Sequence, residues 1–228
     1  MSDYYTLITA LPWLPELEQC KQLPLSRIAL DRRLSMLSDQ DSEQLMRLEG
    51  LYHPSQKALL DMTDKALVLE WQNGVSAVNS PVLAEKVHFH MEVRTLLAAF
   101  RSRAAGMDNP ALFFGLGRWV PHIRKHWFEP GFALEGLCSY LPEIKRLLDK
   151  GMSLELDAKL DQLLWQDLVR TEHEYSFQFE AVVCFVLRWG IAERRLQQDG
   201  ALALRQFNQT TSRLLAKSGL DLQLQGNG

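Results

Sequence analysis

Glu85-Lys-Val-His88 is the first place in the chain where residue types and spacing could do chemistry. On a helix, Glu-x-x-His sets a carboxylate and an imidazole one turn apart, which is half of the ligand set of a carboxylate-bridged di-iron bundle. No second Glu-x-x-His follows. A structural helix surface is therefore the better reading, and a helical metal-binding protein or metalloenzyme using Glu85 and His88 is the alternative. His88-Phe-His90 would bring its imidazoles to one side only in a strand, because on a helix they diverge by about 200 degrees. His122 and His126 have the i, i+4 spacing of zinc ligands, yet Ile123 stands where a metalloprotease carries its glutamate base. Gly115-Leu-Gly117 lacks the third glycine or the lysine of a phosphate loop. Thr171-Glu-His-Glu174 gathers two carboxylates around an imidazole at consecutive positions, which point in different directions on a helix. With no Gly-x-Ser-x-Gly and no paired Cys-His signature, the expectation is a non-enzyme with no catalytic residue, no metal and no cofactor.

The richest cluster is residues 118–128. Arg118, Arg124 and Lys125 alternate there with Trp119, Trp127 and Phe128. The plainer reading is a loop anchored by buried tryptophans; the functional one is a cationic, aromatic protein-contact patch for an acidic partner.

Composition narrows the classes. The 228 residues include 41 leucines against 13 glycines and 9 prolines, with 46% hydrophobic and 23% charged residues, as in a helix-rich globular protein. Twenty-five basic and 28 acidic residues leave a net charge of -3, far from the basic balance that phosphate-backbone binding needs, so nucleic acid is excluded as an expected partner. Cys20, Cys138 and Cys184 are odd in number, far apart and set among apolar neighbours, as reduced buried thiols are. The start Met1-Ser-Asp-Tyr-Tyr has no basic n-region, and the longest apolar run, residues 181–187, is shorter than the roughly 20 residues that span a bilayer. A cytoplasmic protein without membrane insertion is expected.

Spacings of three and four recur almost throughout, which predicts an all-α, multi-helix bundle. Tyr4, Leu7, Ile8 and Leu11 fit one helix face, but the same residues suit an extended lead-in strand before Pro12. Ser26 is placed to cap a helix of about 12 residues with Ile28, Leu30, Leu34 and Leu37 as its stripe. Leu45, Leu48, Leu51 and Tyr52 mark the next helix, which His53-Pro54 should end. A further segment runs through Leu59, Leu60, Met62, Ala66, Leu67 and Leu69 to a turn at Asn73-Gly74. Residues 81–105 form the clearest helix, with Ser80 as cap, Pro81 in the first turn and Gly106 as stop. Glycines and prolines crowd residues 107–131, predicting loops and short turns. Beyond them, short helices are expected over 132–140 and 142–150. A longer one starts near Ser153 and uses Leu156, Leu160, Leu163, Leu164 and Leu168. Another, built on Phe179, Val182, Val183, Val186 and Trp189, should reach about Gln198. After Gly200 a last helix over 201–218 would present Leu204, Phe207, Thr211, Leu214 and Leu215, and residues 221–228 should fray. The expected organisation is two packed helical subdomains, residues 1–106 and 132–228, joined by an irregular region over 107–131.

Two stretches carry a family resemblance. One is Tyr4-Tyr-Thr-Leu-Ile-Thr-Ala-Leu-Pro12, followed by Leu23-Pro-Leu-Ser26 and the helix after it. The other is Phe177-Gln-Phe-Glu-Ala-Val-Val-Cys-Phe-Val-Leu-Arg-Trp-Gly-Ile-Ala-Glu-Arg-Arg195. Together they resemble a bacterial domain-of-unknown-function family encoded among V-type ATPase subunits. The resemblance implies a role in a V-type ATP synthase or ATPase that transports protons or sodium. The chain would stand in place of the C-type helical adaptor, called d in eukaryotes, that joins the central stalk to the membrane rotor ring. That adaptor is longer and built from three related helical bundles, whereas this chain has material for two. The expected partners are thus other V-type ATPase subunits, with the protein peripheral on the cytoplasmic face of the membrane through the complex. The resemblance supplies no catalytic or nucleotide-binding residue.

Overall fold

The computed structural model describes residues 3–53 and 62–218. Nine α-helices lie among them: α1 (Asp3–Ala10), α2 (Arg27–Leu34), α3 (Asp39–Tyr52), α4 (Asp64–Ser76), α5 (Pro81–Ala104), α6 (Val120–Lys125), α7 (Leu141–Asp149), α8 (Ser153–Glu174) and α9 (Phe179–Ser218). No strand occurs among the described residues, so the bundle is all-α as the periodicity requires.

Local chemistry explains the helix starts. Ser26, Ser38, Thr63 and Ser80 each accept a hydrogen bond from the backbone N–H three residues on, satisfying an amide that the first turn leaves orphaned. Pro81 then occupies the first turn of α5, where its missing N–H costs nothing. The N-terminal segment is helical. Leu7 of α1 is buried, and the Tyr4 hydroxyl donates to Asp41 Oδ2 of α3 at 2.8 Å.

The principal core forms around α9. Residues 181–187 are all buried, as are Arg188, Trp189, Ile191 and Ala192, so this stretch is enclosed on every side. Leu7, Leu30, Leu48, Tyr52, Met91 and Trp165 belong to the same core and come from five different helices. Trp189 Nε1 donates to the Leu25 carbonyl at 3.1 Å, tying α9 to the loop before α2. Charged groups pin α8 to its neighbours. Asp161 pairs with Arg194 and Glu172 with Arg188 of α9, while Asp167 pairs with Lys86 of α5 at 3.0 Å. Burial raises the Asp161 and Glu172 carboxyls above their ordinary values, against the pull of their arginine partners.

A second core joins Leu96, Ala99 and Phe100 of α5 to Phe113, Ile123, Trp127, Phe132, Leu134, Cys138 and Leu141. A small third one holds Leu97, Ile144, Leu147 and Leu156. The cores therefore do not follow a division into residues 1–106 and 132–228. Residues from Leu7 to Met91 and from Leu164 to Ala192 share the first core, residues 107–131 contribute to the second, and α5 crosses from one to the other. The reason is length: at about 1.5 Å per residue, the 24 residues of α5 are long enough to serve two cores.

Other local expectations change as well. α2 is eight residues long rather than about 12, and Ile28 is 75% exposed, leaving Leu30 and Leu34 as its buried stripe. Asn73-Gly74 lies within α4, which continues to Ser76. Residues 54–61, which include Leu59 and Leu60, lie outside the described residues, as does the tail 221–228. No helix covers 132–140, because Gly131, Phe132 and Ala133 all take positive φ near 55°. The left-handed backbone costs about 1–2 kcal/mol for each non-glycine residue. It drives Phe132 between Phe100 and Trp127, at ring-centroid distances of 4.8 and 5.6 Å, and full burial of a phenylalanine contributes about 1.5–3 kcal/mol in return.

Gly200 does not break the chain: α9 runs on unbroken for 40 residues. A single glycine in a helix costs only about 1 kcal/mol relative to alanine, too little to stop a helix that the core has already nucleated. The side chains of Leu214 and Leu215 lie outside the described ones; Leu204 and Phe207 are 61% and 67% exposed. The two halves of α9 should therefore respond differently to truncation. Leu187→Ala is expected to cost about 2–5 kcal/mol of unfolding free energy and Leu204→Ala less than about 0.5 kcal/mol, as read by urea denaturation of each variant.

Candidate functional site

The sequence-derived contact cluster divides into buried and exposed members, and the exposed Arg118 pairs with Glu92 at 3.5 Å. Trp127 is 1% exposed and donates from Nε1 to the Met107 carbonyl at 2.9 Å, so it is a core residue, not a contact. Arg124 is spent on the Phe113 carbonyl, to which Nε donates at 3.0 Å. Trp119 is half-buried, with the Arg118 guanidinium 4.9 Å above its ring. Arg118, Lys125 and Phe128 stay exposed, Phe128 at 73%. The exposed members are fewer than the sequence spacing suggests, because alternate members of a short helix and its loops anchor the second core.

Gly115-Leu-Gly117 has a structural purpose. Glu92 and Thr95 are buried on adjoining turns of α5. Glu92 Oε1 accepts from the Arg118 N–H at 3.1 Å, and Thr95 Oγ1 accepts from the Leu116 N–H at 2.9 Å. Gly117 has φ +104°, and a Cβ there would collide with the Glu92 side chain. The glycine allows the loop to lie directly on α5.

The histidines separate as helix geometry dictates. Glu85 and His88 are exposed on α5, while His90 is buried. His122 and His126 meet, but ring to ring, with centroids 4.3 Å apart and planes at 27°, so their nitrogens do not converge on one point. His126 Nδ1 instead lies 2.7 Å from Glu129 Oε1. Among the described residues no group of three or more His, Cys, Asp or Glu side chains is arranged to hold a metal ion. In the 171–174 segment, Glu172 turns inward to Arg188 while His173 and Glu174 face outward.

Sequence spacing missed a cavity of about 630 Å³ bounded by α4, α5, α8, α9 and residues 113–115. Trp71, His90, Arg94, Arg101 and Arg194 are part of its wall. The volume lies within the range of small-molecule sites. Arg94 and Arg101 are seven residues apart, two turns along one face of α5. Only Arg94, a cation amid the mostly buried run 90–100 of α5, stands out in the sequence, and the space it faces is not legible there.

Behind the cavity lies a chain of buried rings. Tyr52 packs against His90 with centroids 4.2 Å apart, and His53 Nε2 lies 3.4 Å from the Leu187 carbonyl. Gly190 permits this close fit, since a Cβ there would come within 2.7 Å of His53 Nε2. Burial, with the nearby Arg194 charge second, lowers the His53 pKa to about 4. His90 is also pushed well below its ordinary value, by burial first and by Arg94 next. Both imidazoles are neutral in the folded protein, whereas the unfolded chain protonates them below about pH 6.5. Between pH 6.5 and 4 the unfolded state thus binds more protons, so stability rises with pH and is lost on acidification. Urea denaturation at pH 6.5, 5.8 and 5.0, above the main carboxylate range, should show that loss approaching about 1.4 kcal/mol per pH unit per histidine. His90→Gln should roughly halve the slope.

No helix among the described residues is long and apolar enough to cross a membrane. No curated protein and no solved structure matches the chain. One family does match, and it includes the enclosed part of α9 and the cavity-lining residues of α4, α5 and α8 but not residues 4–37. The match covers residues 51–216, and the chain belongs to the family described as Protein of unknown function (DUF2764).

Proposed function

We propose that this protein is a non-catalytic component of a V-type ATP synthase or ATPase, a C-type helical adaptor between the central stalk and the membrane rotor. The reading rests on the resemblance carried by residues 4–12, 23–37 and 177–195. One structural observation supports work done by a surface. At about 1.5 Å per residue α9 extends some 60 Å, and beyond residue 196 its described side chains are exposed as far as residue 210. An exposed helix end bearing Leu204 and Phe207 on one face suits helix packing against a neighbouring protein of the complex. The exposed Arg118, Lys125 and Phe128 offer a second contact surface, suited to an acidic neighbour. In this role the protein sits on the cytoplasmic side of the membrane through its partners and aids assembly or torque coupling.

Affinity isolation of the tagged full-length protein from its native cell, with identification of what co-purifies, tests the assignment. V-type ATPase subunits retained through a high-salt wash are the expected result, because an apolar helix contact survives charge screening. Deleting the gene should abolish assembly or ATP-driven ion pumping. A fully assembled, pumping complex in the deletion strain would overturn the proposal.

A further inference from the structure

Arg94 is the group in the cavity wall that the fold does not account for. It is half-buried in the middle of α5, with its guanidinium 5.4 Å from the Trp71 ring centroid. Among the described residues it forms no ion pair and no side-chain hydrogen bond. Arginine is seldom buried without a partner, because desolvating its charge is costly. Its surroundings make the cost greater: burial lowers its pKa, and Arg194 and Arg101 lower it further by repulsion, with no carboxylate acting against them. The acidic residues in the wall are Asp64, Asp157 and Asp161, and Asp161 is held by Arg194. A second unsatisfied group adjoins this one. His90 is 5% exposed, lines the cavity one turn before Arg94, and its buried Nδ1 has no partner. The remaining wall is aromatic and aliphatic, from Trp71, Phe113, Phe114, Leu160 and Leu164.

We propose that this cavity binds a small organic anion, whose acidic group meets Arg94 and Arg101 and whose apolar body lies against Trp71, Phe113 and Leu164. Trp71 takes one face of the Arg94 guanidinium by a cation–π contact, which leaves the edge with its N–H fork for a two-oxygen acceptor. Carboxylate and phosphate share that geometry. His90, held neutral, supplies a polar contact to the ligand's body at the closed end of the cavity. Ala98, between the two arginines, is small and exposed, which keeps the approach open. The site stands independently of the assembly role.

Isothermal titration of the full-length protein with 1-naphthoate, 1-naphthyl phosphate and uncharged 1-naphthamide tests it. At least one anion should bind saturably with a submillimolar Kd, and the amide at least tenfold more weakly; whichever anion binds better identifies the acidic group. Arg94→Gln should weaken anion binding at least tenfold. Arg101→Gln, at an exposed position that folding does not require, should weaken it at least threefold, and Ala98→Trp should block it. Lys125→Gln, on the separate patch, should leave it unchanged. Failure of both anions to bind, equal binding of the amide, or unchanged anion binding by Arg101→Gln and Ala98→Trp would overturn the proposal.

Discussion

Burial of the first half of α9 is the constraint on which the rest depends. A helix is ordinarily amphipathic, but from residue 181 to 192 apolar side chains occur on all its faces and almost every one is buried. Such a segment is stable only when enclosed. The enclosure is assembled from α1, α2, α3, α5 and α8, so segments far apart in sequence must pack together to form it. The buried Arg188 is tolerated within this run because Glu172 pairs with it and the Trp165 ring lies 5.0 Å from its guanidinium.

α5 links that core to the functional features. Its first half contributes Leu83, Val87 and Met91 to the enclosure of α9, and its second half contributes Leu96, Ala99 and Phe100 to the core beneath the 107–134 loops. Between these halves it presents Glu92 and Thr95 to the glycine loop, and His90 and Arg94 to the cavity. One helix thus sets the position of the Arg118 loop relative to the cavity. Of the polar residues that interrupt its apolar stripe, Glu92 and Thr95 are satisfied by loop amides, whereas Arg94 meets the Trp71 ring and the buried His90 Nδ1 has no hydrogen-bond partner among the described residues.

The exposed surfaces and the cavity are physically distinct. The described side chains of α9 between residues 197 and 210 are exposed, as are Arg118, Lys125 and Phe128. The cavity is concave, partly apolar and of small-molecule size. α9 connects them, since Arg194 and Gln198 line the cavity where the helix passes from half-buried to exposed.

Much was legible without coordinates. Helix capping is a local matter, so Ser26, Ser80 and Pro81 marked their helix starts correctly, and the stripe Leu45, Leu48, Leu51 and Tyr52 is buried as its spacing implies. Membership of a family of unknown function was also visible in residues 177–195. The turns at Gly74 and Gly200 were misjudged for one reason: a glycine's preference amounts to about 1 kcal/mol, and packing on either side of it is larger. Trp127 is a core residue that sequence spacing does not separate from its exposed neighbours, because aromatic residues look alike whether they anchor a loop or face a partner. The cavity could not be read at all, since it requires Trp71, Arg94 and Arg194 from three helices to face the same space. By itself, then, the sequence determined most helices and their caps, because capping depends on neighbours within about four residues. The tertiary structure alone decided which polar groups are left without partners, because satisfaction depends on what the rest of the chain brings to them.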